Sequence, residues 1–144
     1  RHMKRFSSMI RGECHCGNLS FEFQTNYSPE ELVVRSCQCR FCKVHGAATA
    51  RDPDGMATIT VRVPEKVALY RFATKSTDFI LCSTCGVYIG AAITFDGNVY
   101  ATLNMNVSNL SLTEVVPIVH DAESRRLRVQ RRVKTFTPLV NYPF

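Results

Sequence analysis

The chain has 144 residues, of which 45% are hydrophobic and 21% charged, with a formal net charge of +6 and seven cysteines. That length predicts one domain over residues 1–144, large enough to bury about 70% of its unfolded surface without a disulfide framework. No apolar run approaches the ~18 residues of a membrane span, and Arg11 interrupts the basic start MKRFSSMIRGEC before it reaches signal-peptide length. Arg1 and His2 read as an expression remnant, and a reducing, cytoplasmic setting is expected.

In chain order, CHCG (14–17) places a glycine directly after its second thiol, and LSFEFQ (19–24) alternates as a strand does. SPEEL (28–32) predicts a short helical turn capped by Ser28, with Pro29 at its first position. SCQCRFCKVHG (36–46) packs three thiols and a histidine into eleven positions. DPDG (52–55) is a loop in which Asp52 and Asp54 are turn residues. TITVRV (58–63) and VALYRF (67–72) predict strands. CSTCG (82–86) has the form of a zinc knuckle. Residues 87–105 predict a hairpin turning at Asp96-Gly97-Asn98, with Tyr88 and Tyr100 facing each other across it. The arginine-rich RRLRVQRRVK (125–134) is expected to be a strand with its basic residues exposed. Together these elements predict a mainly β fold of short strands, whose connections carry the cysteines.

In a reducing setting seven cysteines, an odd number, are not expected to be paired as disulfides. Thiols two apart on an extended strand share a face, which suits two bonds to one metal ion. Thiolate-rich sites favour zinc under ordinary metal supply, with an iron–sulfur cluster the residual alternative. The seven divide as four plus three. Cys14, Cys16, Cys82 and Cys85 would close a structural zinc site, whose binding energy becomes folding energy. Cys37, Cys39 and Cys42 would hold a second zinc with one position open, the mark of a reactive site; His45, three residues beyond Cys42, is the candidate that could close it. Two zinc ions per chain are therefore expected. His15, between two ligands, should point away from the metal.

The motifs GECHCG (12–17), CQCRFC leading into KVHGA (37–47) and LCSTCG (81–86), in this order, resemble the signature of the glutathione-dependent formaldehyde-activating enzyme family, which includes centromere protein V. The resemblance continues arguably to His120 and Asp121. It implies an Mss4-like arrangement of short antiparallel strands stapled by zinc. By position, Cys14, Cys16, Cys82 and Cys85 match the structural ligands, and Cys37, Cys39 and Cys42 match the catalytic ones. The chain departs from the family's common pattern at Gln38, Arg40 and Leu81, where histidine, serine and an aromatic are usual, and it has no tryptophan. By family position His120 would stand behind the metal ligands or face the substrate, or else it is a loop residue.

Chemistry points independently to a thiol substrate. Three thiolates leave a zinc site at net −1, better suited to keeping a fourth thiol ionised than to acidifying water. Arg35, Arg40 and Lys43 flank the ligands and could offset that charge, and arginine forks suit glutathione's two carboxylates. The expected function is a zinc-dependent carbon–sulfur lyase, or its reverse, adding a small thiol such as glutathione to formaldehyde or another electrophile. The alternative is a zinc-stabilised module that binds nucleic acid or protein without catalysis, suggested by the net charge and the arginine-rich segment. Seven thiolates and two divalent cations would lower the formal +6 to +3, which weakens the case for a nucleic-acid partner.

Overall fold

The computed structural model describes residues 5–72, 76–112, 114–120 and 123–144; Arg1, His2 and Asp121 lie outside them. Its elements run β1 (Ser8–Glu13), β2 (Leu19–Thr25), β3 (Val34–Cys37), α1 (Arg40–His45), β4 (Thr49–Ala50), β5 (Met56–Val61), β6 (Val67–Tyr70), β7 (Asp78–Cys82), β8 (Tyr88–Phe95), β9 (Asn98–Asn104), β10 (Val115–Ile118), α2 (Arg125–Thr135) and β11 (Thr137–Val140). The fold is mainly β, as the alternating stretches predict. No helix among the described residues is long and apolar enough to cross a membrane.

Pairing follows the order β1-β2-β5-β11-β9-β4-β3-β10, and a β6-β7-β8 meander joins at β9. Most neighbours are antiparallel, but β11 runs parallel to β5 and β10 parallel to β3. β2 shows why these residues form a strand: Leu19, Phe21, Phe23 and Thr25 are buried, while the residues between them are half-buried or exposed. Burying Phe21 and Phe23 contributes about 1.5–3 kcal/mol each, against Ala57 and Ile59 in the same core. β8 is buried on both faces from Tyr88 to Ile93, and its Gly90, Ala91 and Ala92 are small enough to let neighbours pack from either side.

The β8–β9 turn needs only two residues, Asp96 and Gly97, with φ of 54° and 80°. Both central residues at positive φ match the hairpin turn whose twist suits the flanking strands. The turn fixes Phe95 opposite Asn98, and stepping back along that register sets Tyr100 opposite Ile93. Tyr88 instead lies across from Leu81 of β7, so the expected Tyr88–Tyr100 pair does not form. SPEEL forms the single capped turn expected, with the Leu32 N–H donating to the Ser28 carbonyl at 3.0 Å. The Ser28 hydroxyl accepts from the Glu31 N–H at 3.3 Å, and the Glu31 carboxylate accepts from the Ser28 N–H at 2.9 Å.

The arginine-rich segment is a helix, not the expected strand. Ser124 caps α2, its hydroxyl accepting from the Leu127 N–H at 3.2 Å. A strand would set its arginines alternately on two faces, whereas helical spacing gathers Arg128, Arg131 and Arg132 on one. Those three are partly buried, and Arg125, Arg126 and Lys134 are exposed.

Candidate metal centres and an arginine-lined cavity

Cys14, Cys16, Cys82 and Cys85 bring four sulfurs within 4.8 Å of one another. Two of the edges measure 3.7 Å (Cys14–Cys16) and 3.5 Å (Cys16–Cys82). A tetrahedron with metal–sulfur bonds of ~2.3 Å has edges of about 3.8 Å, so the thiols are spaced as tetrahedral zinc ligands would be. Two turns of one design build the cluster. The Gly17 N–H donates to the Cys14 carbonyl at 3.0 Å, and the Gly86 N–H to the Cys82 carbonyl at 2.8 Å. Both glycines sit at positive φ, 82° and 78°, which a side chain would strain. Backbone N–H groups also point at sulfur, Leu19 to Cys14 at 3.3 Å and Cys85 to Cys82 at 3.5 Å, an arrangement that favours thiolate.

The second cluster is Cys37, Cys39 and Cys42, again within 4.8 Å. Cys37 ends β3, Cys39 caps α1 with its sulfur accepting from the Cys42 N–H at 3.4 Å, and Cys42 is buried on that helix. Hydrogen bonding from Cys37 and Cys42 pulls the Cys39 thiol down to about 2, while the contacts with Cys37 and Cys39, aided by burial, push Cys42 up. Three thiols this close cannot all ionise against their mutual repulsion, and a divalent cation removes that obstacle. The donor chemistry of both clusters therefore fits zinc.

Among the described residues no histidine or carboxylate joins the three thiols as a fourth donor. His45 is exposed, and its ring packs at 4.4 Å on Phe41 and 5.7 Å on Tyr88. His15 is exposed and belongs to neither cluster. All seven cysteines are free of disulfides.

The three-thiol cluster opens on a cavity of about 340 Å³. One wall is aromatic, with Phe72, Phe79 and Tyr88 lining the space and Phe41 packed against all three at 4.7–5.2 Å. Burial raises the Tyr88 phenol well above its usual range, with Cys42 adding to the effect, so it remains a proton-bearing donor. Asn104 anchors this strand, its amide donating to the Tyr88 carbonyl at 2.9 Å. His120, half-buried at the rim of the cavity, is held toward its neutral form by burial and then by Arg131.

The cavity is also lined by Arg35, Arg51, Arg128, Arg131 and Arg132. Arg131 grips the Glu123 carboxylate through three hydrogen bonds of 2.9–3.2 Å, and Arg128 lies 3.6 Å from the same group. Arg51 and Arg132 each stand 5.9 Å from the centre of the Phe136 ring. Burial, and then like charge, pushes both down to about 10; Arg35 and Arg131 act on Arg51, and Arg131 and Arg128 on Arg132.

Of the cations expected beside the ligands, only Arg35 reaches the cavity. Arg40 and Lys43 are exposed on α1 and do not line it. Sequence reasoning missed Arg51, Tyr88 and the three of α2's five arginines that line the cavity. The i, i+3, i+4 spacing of Arg128, Arg131 and Arg132 was the available signal that they share a face.

A model of the glutathione-dependent formaldehyde-activating enzyme family matches residues 9–120, which include all seven cysteines. A crystal structure of a Rhodobacter sphaeroides protein is 30% identical with a TM-score of 0.55, and the match covers 75% of this chain and 99% of that one. Comparison with curated proteins gave no match.

Proposed function

The chain belongs to the glutathione-dependent formaldehyde-activating enzyme family, and on that premise we propose that it joins a small thiol such as glutathione to an aldehyde, or cleaves the adduct, as a carbon–sulfur lyase. Cys37, Cys39 and Cys42 would hold the catalytic zinc, and Cys14, Cys16, Cys82 and Cys85 a structural one, giving two ions per chain. The observation that carries this reading is that the three-thiol cluster opens on a cavity lined by five arginines. A four-thiol site alone would support only a structural role.

A zinc ion on three thiolates, when bound, keeps a further thiol ionised at neutral pH. The chain's own residues do the rest. Arginines on the cavity wall orient the carboxylates of the thiol, and the aromatic wall of Phe72, Phe79 and Tyr88 excludes water. The Tyr88 hydroxyl donates a hydrogen bond to the aldehyde oxygen as negative charge develops there. One carbon–sulfur bond forms, the carbonyl π bond breaks, and the thiol proton ends on the new hydroxyl. Seven unpaired thiols suit a reducing compartment such as the cytoplasm.

The non-catalytic alternative loses support from the inward turn of Arg128, Arg131 and Arg132, which removes them from any surface footprint for nucleic acid. The deciding experiment is a panel of thiol–aldehyde adducts assayed for formation and cleavage with the zinc-loaded protein and with Cys39→Ser. Turnover by the parent protein alone supports the reading, and equal background rates in both would remove it.

A further inference from the structure

The charge on the cavity wall exceeds what glutathione would use. Five guanidinium groups line it, and among the described residues no carboxylate does. Glu123 is engaged by Arg131 and lies close to Arg128, while Arg35, Arg51 and Arg132 have no ion pair among the described residues. Five guanidinium charges, less Glu123, Asp121 two positions before it in the sequence, and the net −1 of a zinc on three thiolates, leave a surplus of +2 against the net −1 of a glutathione–formaldehyde adduct. The Nε–H groups of Arg128 and Arg132 are buried with no hydrogen-bond acceptor among the described residues. The Arg132 Nη1 donates to the Thr77 hydroxyl and the Arg128 Nη2 to the His120 carbonyl, which fixes both side chains at the cavity wall. Phe136 presents Arg51 and Arg132 around a single ring, so one ligand can meet both.

Glutathione carries an ammonium as well as two carboxylates, and the ammonium would enter a space dominated by like charge. We infer that the adduct handled in this cavity is polyanionic, with a net charge of −2 or more negative and no ammonium near Arg51 and Arg132. The extra anion belongs either to the thiol or to the electrophile. This assignment of substrate class rests on the thiol–electrophile reading above, but the anion site is testable without it.

Calorimetric titration of the purified protein at fixed ionic strength with tricarballylate, a thiol-free tricarboxylate, and with S-methylglutathione tests the site. Tricarballylate is expected to bind at least tenfold more tightly. Arg51→Gln and Arg132→Gln should each weaken it at least fivefold, with circular dichroism confirming the fold. Arg35→Gln serves if the Arg132 variant does not fold. S-Methylglutathione binding as tightly as tricarballylate, or folded variants binding tricarballylate as the parent does, would overturn the inference.

Rates of adduct formation locate the charge. Mercaptosuccinate with formaldehyde outpacing glutathione with glyoxylate places it on the thiol, and the reverse order places it on the electrophile. Glutathione with formaldehyde outpacing both overturns the polyanion assignment and leaves the reaction standing. Tight tricarballylate binding with no turnover of any pair retains the anion site and removes the reaction.

Discussion

Replacing Glu123 by glutamine removes a carboxylate that ties two cavity arginines together. Its three hydrogen bonds with Arg131 are 2.9–3.2 Å long, and the paired side chains are only 21% and 18% exposed. The interaction should therefore exceed that of a surface pair and fall near the range of charged hydrogen bonds, about 1–2 kcal/mol after allowance for partial exposure. For a domain of this size that corresponds to a melting temperature lower by about 3–7 °C at pH 7. The pH dependence has a definite sign. Hydrogen bonding from Arg131 holds the Glu123 carboxyl below its ordinary value of 4.5 in the folded protein. Between that lowered value and 4.5 the unfolded chain binds more protons, so the contribution is complete above 4.5 and fades as pH falls through the folded value. Thermal unfolding of parent and Glu123→Gln at a series of pH values from 7 to 3 should show two curves that converge in acid. Subtracting one from the other cancels the loss of metal from thiolates, which acid also causes. A gap that stays constant across the series, or no gap at pH 7, would refute the assignment.

Other outcomes follow from the two clusters. Cys82→Ser or Cys14→Ser should destabilise the fold by several kcal/mol, because a structural zinc contributes directly to folding, whereas Cys39→Ser should fold and lose activity; equal losses of thermal stability would mean that both clusters are structural. Elemental analysis of protein purified under reducing conditions should give close to two zinc ions per chain, the second more easily removed by chelators, and a single tightly held ion with three titratable thiols would contradict the assignment. His45→Ala should leave the absorption of the cobalt-substituted protein nearly unchanged, since the His45 ring packs on Phe41; a large spectral change would make it a ligand.

The cysteine clusters were legible in the sequence because a metal site recruits ligands as local pairs, and glycine marks the turn after each pair at residues 14–17 and 82–86. The strands were legible wherever one face is buried, as in β2. What sequence hid was the direction of charge. The reading of α2 assumed that arginines face water, as they usually do, but Arg128, Arg131 and Arg132 turn toward the cavity beside Phe136. With only Leu127, Val129 and Val133 apolar among eleven residues, α2 offered no apolar stripe to announce a helix. Arg51 stands alone after a two-residue strand, so nothing local marked it. α1 spans just six residues and is fixed by the Cys39 cap and by packing of Phe41, neither of which has a periodic signature. Tyr88 was misplaced because the pair was read without counting register: a turn at 96–98 would itself set Tyr100 opposite Thr94, next to the observed Ile93 and well away from Tyr88.

β11 lies between β5 and β9, although it is the last strand of the chain. The β1-β2-β5 portion and the β6-β7-β8-β9 meander are each assembled from segments close in sequence or already emerged when β9 is made. Neither can be joined at this seam until residues 137–140 arrive, more than thirty positions after β9. During synthesis the facing edges of β5 and β9 must wait, open and able to pair with other chains. Closing the seam is a long-range step of the kind that slows folding. The helix that immediately precedes β11 is the one carrying the cavity arginines, so the anion-binding wall is completed in the same late event as the sheet.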